Sequence, residues 1–137
     1  MKKYLKITLT IFIVAFLLGT VNAHAKAEIS IMDVTIPVFE GSWISGNYEK
    51  DTWTVQSVKK QDCIDNISGD GRVILAKAHA TWNENSSSNW TETVKNAYVN
   101  FNGGDTANPG SWRLYLKSNK FLPTTASFWG SWRYNAN

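Results

Sequence analysis

Cysteine is nearly missing from this chain: Cys63 stands alone among 137 residues. No intramolecular disulfide can form, so the chain is not a disulfide-built small scaffold. Histidine is almost as scarce, with His24 and His79 only. One cysteine and two histidines do not make a usual zinc set. Acids thin out along the chain, and Glu84, Glu92 and Asp105 are the only ones after residue 71. No pair of carboxylates presents itself there for glycoside hydrolysis. Asp62, Asp65 and Asp70 cluster earlier, but their spacing does not match an EF-hand loop. A Gly-x-Ser-x-Gly elbow is also missing. No metal, no cofactor and no catalysis are expected.

Basic excess is lacking too, despite a formal charge of +3 from 14 Lys and Arg against 11 Asp and Glu. Lys2, Lys3 and Lys6 account for it, and without residues 1–25 the balance is 11 against 11. Nucleic-acid binding through phosphates calls for a marked cationic surplus and is not expected. What surplus exists is local. Residues 26–71 hold four Lys and eight acids, while residues 72–137 hold seven Lys and Arg and three acids.

Long apolar runs are confined to the N-terminus. Three lysines precede Ile7–Leu18, which is apolar apart from Thr8 and Thr10, and Ala23-His24-Ala25 follows. A basic start, an apolar centre and small residues at the end are the order of a secretory signal peptide. A run of that length is too short to span a bilayer, which needs roughly 20 residues. Residues 1–25 are therefore read as a leader and 26–137 as one secreted β domain, extracellular or cell-surface associated. It is not an integral membrane protein once processed. Ala25-Lys26-Ala27 offers a second frame for cleavage. Leu122-Pro123-Thr124-Thr125-Ala126 resembles a sortase sorting motif with Ala126 in place of glycine, but no apolar stretch and basic tail follow it.

After residue 25 no eleven-residue stretch keeps a clear 3.6-residue period, whereas period-2 alternation recurs between Gly, Asn, Asp and Ser clusters. Strands are expected over 29–39, 42–48, 52–63, 72–82, 90–101, 111–118 and 125–134. These seven suggest an all-β fold, an antiparallel β-sandwich or small barrel. Pro37 suggests an edge strand or a bend. A shift of apolar parity from Val55 to Val58 places a bulge near Gln56 and Ser57. Asp70-Gly71 is a turn signal, so strands 52–63 and 72–82 are expected to pair as a hairpin. Cys63 and His79 would then lie some 20 Å apart, too far for a nucleophilic dyad. Ile74, Ala76, Ala78, Trp82, Trp112, Leu114, Leu116, Phe128 and Trp132 are the expected core. Gly-Ser-Trp occurs at 41–43, 110–112 and 130–132, which reads as a repeated strand start with Trp filling a core position.

Seven Trp in so short a chain point to binding by ring stacking. If 111–118 and 125–134 form a hairpin centred near Leu122, Tyr115 faces Trp129. The outward parity is then Arg113, Tyr115 and Lys117 beside Trp129 and Arg133. Two rings among three cations suit a cell-envelope glycan or an anionic polymer. The expected function is a non-enzymatic envelope-binding module, with a bacteriocin-like antagonist acting on a competitor's envelope as the alternative. Mass spectrometry of exported protein should find an N-terminus at Lys26 or Glu28; full-length chain in the medium would refute the leader.

Overall fold

The computed structural model describes residues 27–135. The leader expected over residues 1–25, with cleavage after Ala25, lies outside them. Period-2 alternation is realised as an all-β architecture of two antiparallel sheets. The strands are β1 (Ala27–Ile36), β2 (Ser42–Ile44), β3 (Tyr48–Lys50), β4 (Ser57–Asp65), β5 (Ile74–Ala80), β6 (Thr91–Glu92), β7 (Tyr98–Asn100), β8 (Gly110–Ser118) and β9 (Ala126–Asn135). The first sheet runs β1-β9-β4-β7; the second runs β2-β8-β5-β6, with β3 also on β8. Among the described residues the one helical piece is a 3-10 turn, Glu84–Ser86. None of their helices is long and apolar enough to cross a membrane.

Both sheets contribute to one hydrophobic core. Ile74, Ala76, Ala78 and Ala80 of β5 face inward with Trp112, Leu114 and Leu116 of β8. The cross-strand pairs are Ala76 with Leu116, Ala78 with Leu114 and Ala80 with Trp112, so each small residue sits beside a large one. That alternation of size fills a layer without voids. Val58, Cys63, Phe128 and Trp132 close the core from the first sheet. The buried Trp132 indole donates to Gln56 Oε1 at 3.1 Å, and Gln56 Nε2 donates to the Thr106 carbonyl at 3.2 Å. A fully buried amide is tolerable only because both its ends are bonded.

The polar stretch 83–89 covers a strand edge. Ser87 Oγ accepts from the Ala80 amide and Ser88 Oγ from the Ala78 amide, each at 2.9 Å. Two buried serines, Ser87 and Ser88, thus satisfy β5 where β6 no longer reaches, while the neighbouring Ser86 donates to Asp105. An uncovered edge would be a template for aggregation.

Two of the crossings between the sheets, β4 to β5 and β8 to β9, meet around Arg72. Its guanidinium donates to Asp65, to Thr124 Oγ1 at 2.6 Å, to the Thr124 carbonyl at 2.8 Å and to Ser118 Oγ at 3.2 Å. These partners lie at the end of β4, the end of β8 and just before β9, while Arg72 itself just precedes β5. Thr124 is bonded into this cluster and Ala126 is fully buried, so the sorting-like stretch 122–126 serves the fold.

Several sequence expectations are corrected. Strands 57–65 and 74–80 do not form a hairpin: they lie in different sheets, joined by an isolated bridge from Ile64 to Gly71. The turn is built at Asp65, whose Oδ1 accepts from the Ile67 and Ser68 amides at 2.8 and 2.9 Å. The expected strand 90–101 is two pieces, because residues 93–97 carry the chain across to the other sheet, with Asn96 at φ 59° in the bridging turn. The expected strand 42–48 is broken at Ser45–Asn47. The bulge falls not at Gln56 and Ser57 but between Lys60 and Asp62. Trp82 is not in the core: β5 ends at Ala80, and Trp82 leans edge-on against Trp112 with half its surface exposed. Gly110, at φ 142°, lets the backbone approach that indole, where a Cβ would stand 2.4 Å from it.

The Asp65 carboxyl is held well below the ordinary carboxylate range by the Thr124 hydroxyl, the Ser68 and Ile67 amides and Arg72. Its folded-state pKa is the lower one, so the unfolded chain takes up the proton first as pH falls below about 4 and stability is lost there. Glu28 and Glu84 are depressed as well and contribute to the same acid loss. Asp65→Asn should therefore be less stable at pH 7 and lose less stability between neutral pH and acid than the parent. Urea unfolding across that range would show it, and an unchanged slope would refute it.

Candidate functional site

β8 bonds to β5 on one side and to β2 and β3 on the other; β9 bonds to β1 and β4. The expected hairpin of 111–118 with 125–134 is thus not formed. Strict alternation shows which face of a strand is buried but not which strand lies beside it. Tyr115 faces Lys77 and Ile44 instead of Trp129, and Trp129 faces Asp62. The five expected site residues divide into two sets on the outer faces of two sheets.

Arg113, Tyr115 and Lys117 remain together on β8. Arg113 Nε donates to Asn47. The Tyr115 ring stacks on His79, with centroids 4.7 Å apart, and Lys117 Nζ sits 4.6 Å over the Trp90 ring. Lys77 and His79 converge on Glu84, the imidazole Nδ1 at 2.8 Å from Oε2. The Lys77 hydrogen bond is the main reason that Glu84 titrates below its ordinary value. His79 lies on the outer parity of β5, half-buried and already partnered by Ser87 and Glu84.

Trp129 and Arg133 lie on β9, on the first sheet. Arg133 caps the Tyr98 ring at 3.5 Å and donates to Glu28 Oε2 at 3.2 Å. Tyr98 donates its hydroxyl to Glu28, and Lys59 Nζ stands 4.8 Å from the same ring. Glu28 is lowered chiefly by Tyr98, then by Arg133; Tyr98 is raised by burial and by Glu28. Arg133 is therefore spent on a cross-strand cluster. Trp129 is not. It lines a groove of about 510 Å³ together with Gln61, Asp62, Ile64, Lys95 and Asn96.

The local sequence explains that groove. The extra residue of the β4 bulge is Gln61, which is exposed. The turn at Asn96 is pinned beside it, the Asn96 amide donating to the Lys60 carbonyl at 2.7 Å. Asp62 accepts from the Cys63 amide at 2.9 Å and pairs with Lys95 at 3.3 Å. The result is one indole among an amide from each flanking segment and a neutralised ion pair. Gln61, Asp62, Lys95 and Asn96 were missed as site residues. One signal was present: the shift of apolar parity from Val55 to Val58 called for a bulge in this strand, which the structure places at Gln61.

Comparison with family models, with curated proteins and with solved structures returns no match. The site is argued from its own geometry. Among the described residues no three His, Cys, Asp or Glu side chains gather in a metal-binding group.

Cys63 is buried in the core and its thiol is pushed up to about 11, first by burial. Such a shift leaves about a hundredfold less thiolate at pH 8 than an ordinary thiol has. A thiol reagent should label the native protein at least that much more slowly than the unfolded chain; equal rates would show Cys63 to be open and reactive.

Proposed function

We propose that this chain is a secreted β-sandwich module, exported by its leader, that binds a cell-envelope glycan at the Trp129 groove without catalysing a reaction. The observation that carries this reading is the half-buried indole of Trp129 lining a groove beside Gln61 and Asn96. A flat ring offers a large contact at low entropic cost, and planar amides both donate to and accept from sugar hydroxyls. Lys95, the cation that lines the groove, is already paired with Asp62, and Arg133 further along β9 is paired with Glu28. That pairing favours a neutral glycan over the anionic polymer that five clustered residues would have suited. Binding rather than chemistry is supported by a thiol buried in the core and an imidazole held by Glu84.

A different observation favours the second reading, a bacteriocin-like antagonist. Phe39, Ile67 and Phe121 are exposed on the loops between β1 and β2, β4 and β5, and β8 and β9, and Phe39 packs on Phe121 at 4.7 Å. Exposed apolar side chains gathered on loops are unusual on a soluble monomer.

The test is sedimentation with purified cell-wall polysaccharide. Trp129→Ala should weaken binding by about tenfold or more, as loss of a central aromatic anchor does. Tyr115→Ala, on the other sheet, should bind like the parent, and added salt should change little. Both variants should stay within about 1 kcal/mol of parental stability, the scale of a cross-strand pair. Unchanged binding by Trp129→Ala would refute the site. Growth inhibition of neighbouring bacteria that survives Trp129→Ala but not Phe121→Ser would establish the second reading instead.

A further inference from the structure

A separate cleft opens between the free edges of the two sheets. β1 is bonded on one side to β9 alone, and β2 and β3 on one side to β8 alone. Ile29, Ile31 and Val34 of β1 line it from one sheet, and Trp43 and Tyr48 of β2 and β3 from the other. The fully buried Leu114 and Trp132 form its floor, and Met32, three-quarters exposed, stands at its rim. Its volume is about 360 Å³, within the range of small-molecule sites. The Tyr48 ring meets Trp132 edge-on at 5.6 Å, so aromatic edges and faces border the space.

Two features decide what fits. None of the ten lining residues carries a charge. The Ser45 hydroxyl is already bonded within the protein, donating to the Gly46 carbonyl and accepting from the Leu114 amide, each at 2.8 Å. An occupant therefore gains mainly apolar burial, the Ser30 and Tyr48 hydroxyls and the Trp43 indole being the other polar groups of the lining. The strand edges, moreover, are poor templates for a peptide. β1 loses register between Ile31 and Val34, with Asp33 at φ 51°, and β2 and β3 are three residues each. Bulged and very short edges resist strand addition, which needs a continuous row of backbone donors and acceptors.

We propose that this cleft binds the hydrocarbon chain of a single-chain amphiphile, whose polar head stays in water beyond Met32. A chain of about twelve carbons fills it, a methylene being close in size to a water molecule at roughly 30 Å³. The proposal rests on no part of the glycan reading, since the cleft and the Trp129 groove share no residue.

The experiment is an NMR titration of the purified protein with hexan-1-ol, octan-1-ol and decan-1-ol. Saturable shifts are expected at Ile29–Val34, Trp43 and Tyr48, with Kd falling by about fourfold for each added methylene. Met32→Glu, at an exposed position, should keep the fold and weaken decanol binding by about tenfold by setting a carboxylate at the mouth. Met32→Leu should bind like the parent. The proposal is overturned by shifts that do not saturate, by a Kd indifferent to chain length, by shifts centred on Phe39 and Phe121, or by parental binding in Met32→Glu. It is equally overturned if decanol is inert while an extended apolar peptide protects the free β1 amides from exchange, because the cleft would then be a strand-docking edge.

Discussion

Arg72 holds two of the crossings between the sheets, and the placing of four central strands follows from that. Its side chain is almost wholly buried, and it reaches the ends of β4 and β8 and the approach to β9 from a position just before β5. A buried guanidinium is costly unless its donors are met, and here a carboxylate, two hydroxyls and a carbonyl meet them. The two connections that it ties together, β4 to β5 and β8 to β9, are two of the six that carry the described chain from one sheet to the other. Hairpins at either place would leave Arg72 without this set of partners.

That constraint separates strands that look alike in sequence. β8 and β9 each alternate one apolar and one polar face; β8 begins at its Gly-Ser-Trp, but in β9 the tripeptide lies mid-strand, so the expected strand start fails there. Two buried indoles result, Trp112 in one sheet and Trp132 in the other. The glycine serves backbone approach in a different way each time. In β9 a Cβ at Gly130 would stand 2.3 Å from the Lys59 carbonyl on the neighbouring strand, so the tight contact of β4 with β9 admits no side chain there. The third copy, at Trp43, sits on a short edge strand, and its half-buried indole borders the apolar cleft. One tripeptide thus yields two core positions and one cleft wall.

Parity made most of the core legible. Ile74, Ala76, Ala78, Trp112, Leu114, Leu116, Phe128 and Trp132 are all buried, because a half-wet sheet admits only one face to the interior. Trp82 failed because parity continues past a strand's end while burial does not. Neighbour identity was not legible, since nothing local distinguishes a hairpin from a crossing of seven residues between β8 and β9. The candidate site failed at the same step. Arg113, Tyr115 and Lys117 keep one another by lying on one strand, and Trp129 keeps Arg133, but the two groups met only through the assumed pairing. The groove around Trp129 was out of reach for a further reason: its other residues come from a bulge and a sheet-switching turn some thirty residues apart.

Charge shows how far such a rearrangement alters chemistry. The acidic first half and basic second half of the domain are interleaved by the topology. Glu28 meets Arg133, Asp62 meets Lys95 and Asp65 meets Arg72, each an acid before residue 71 with a base after it. The halves therefore neutralise each other across neighbouring strands, and most fully on the sheet that carries Trp129. A ring flanked by paired charges cannot select a ligand by its charge, because the field of each ion is cancelled by a neighbour a few ångströms away. On the proposed reading, shape and hydrogen bonds are left to make the selection. The β8 face differs: Lys77 shares Glu84 with His79, while Arg113 contacts a neutral amide and Lys117 a neutral ring. The same topology that removes cations from the ring best placed to stack leaves cations where the available rings are already covered. The outward rings and cations that the sequence reading joined in one patch thereby lie on different faces of the folded chain.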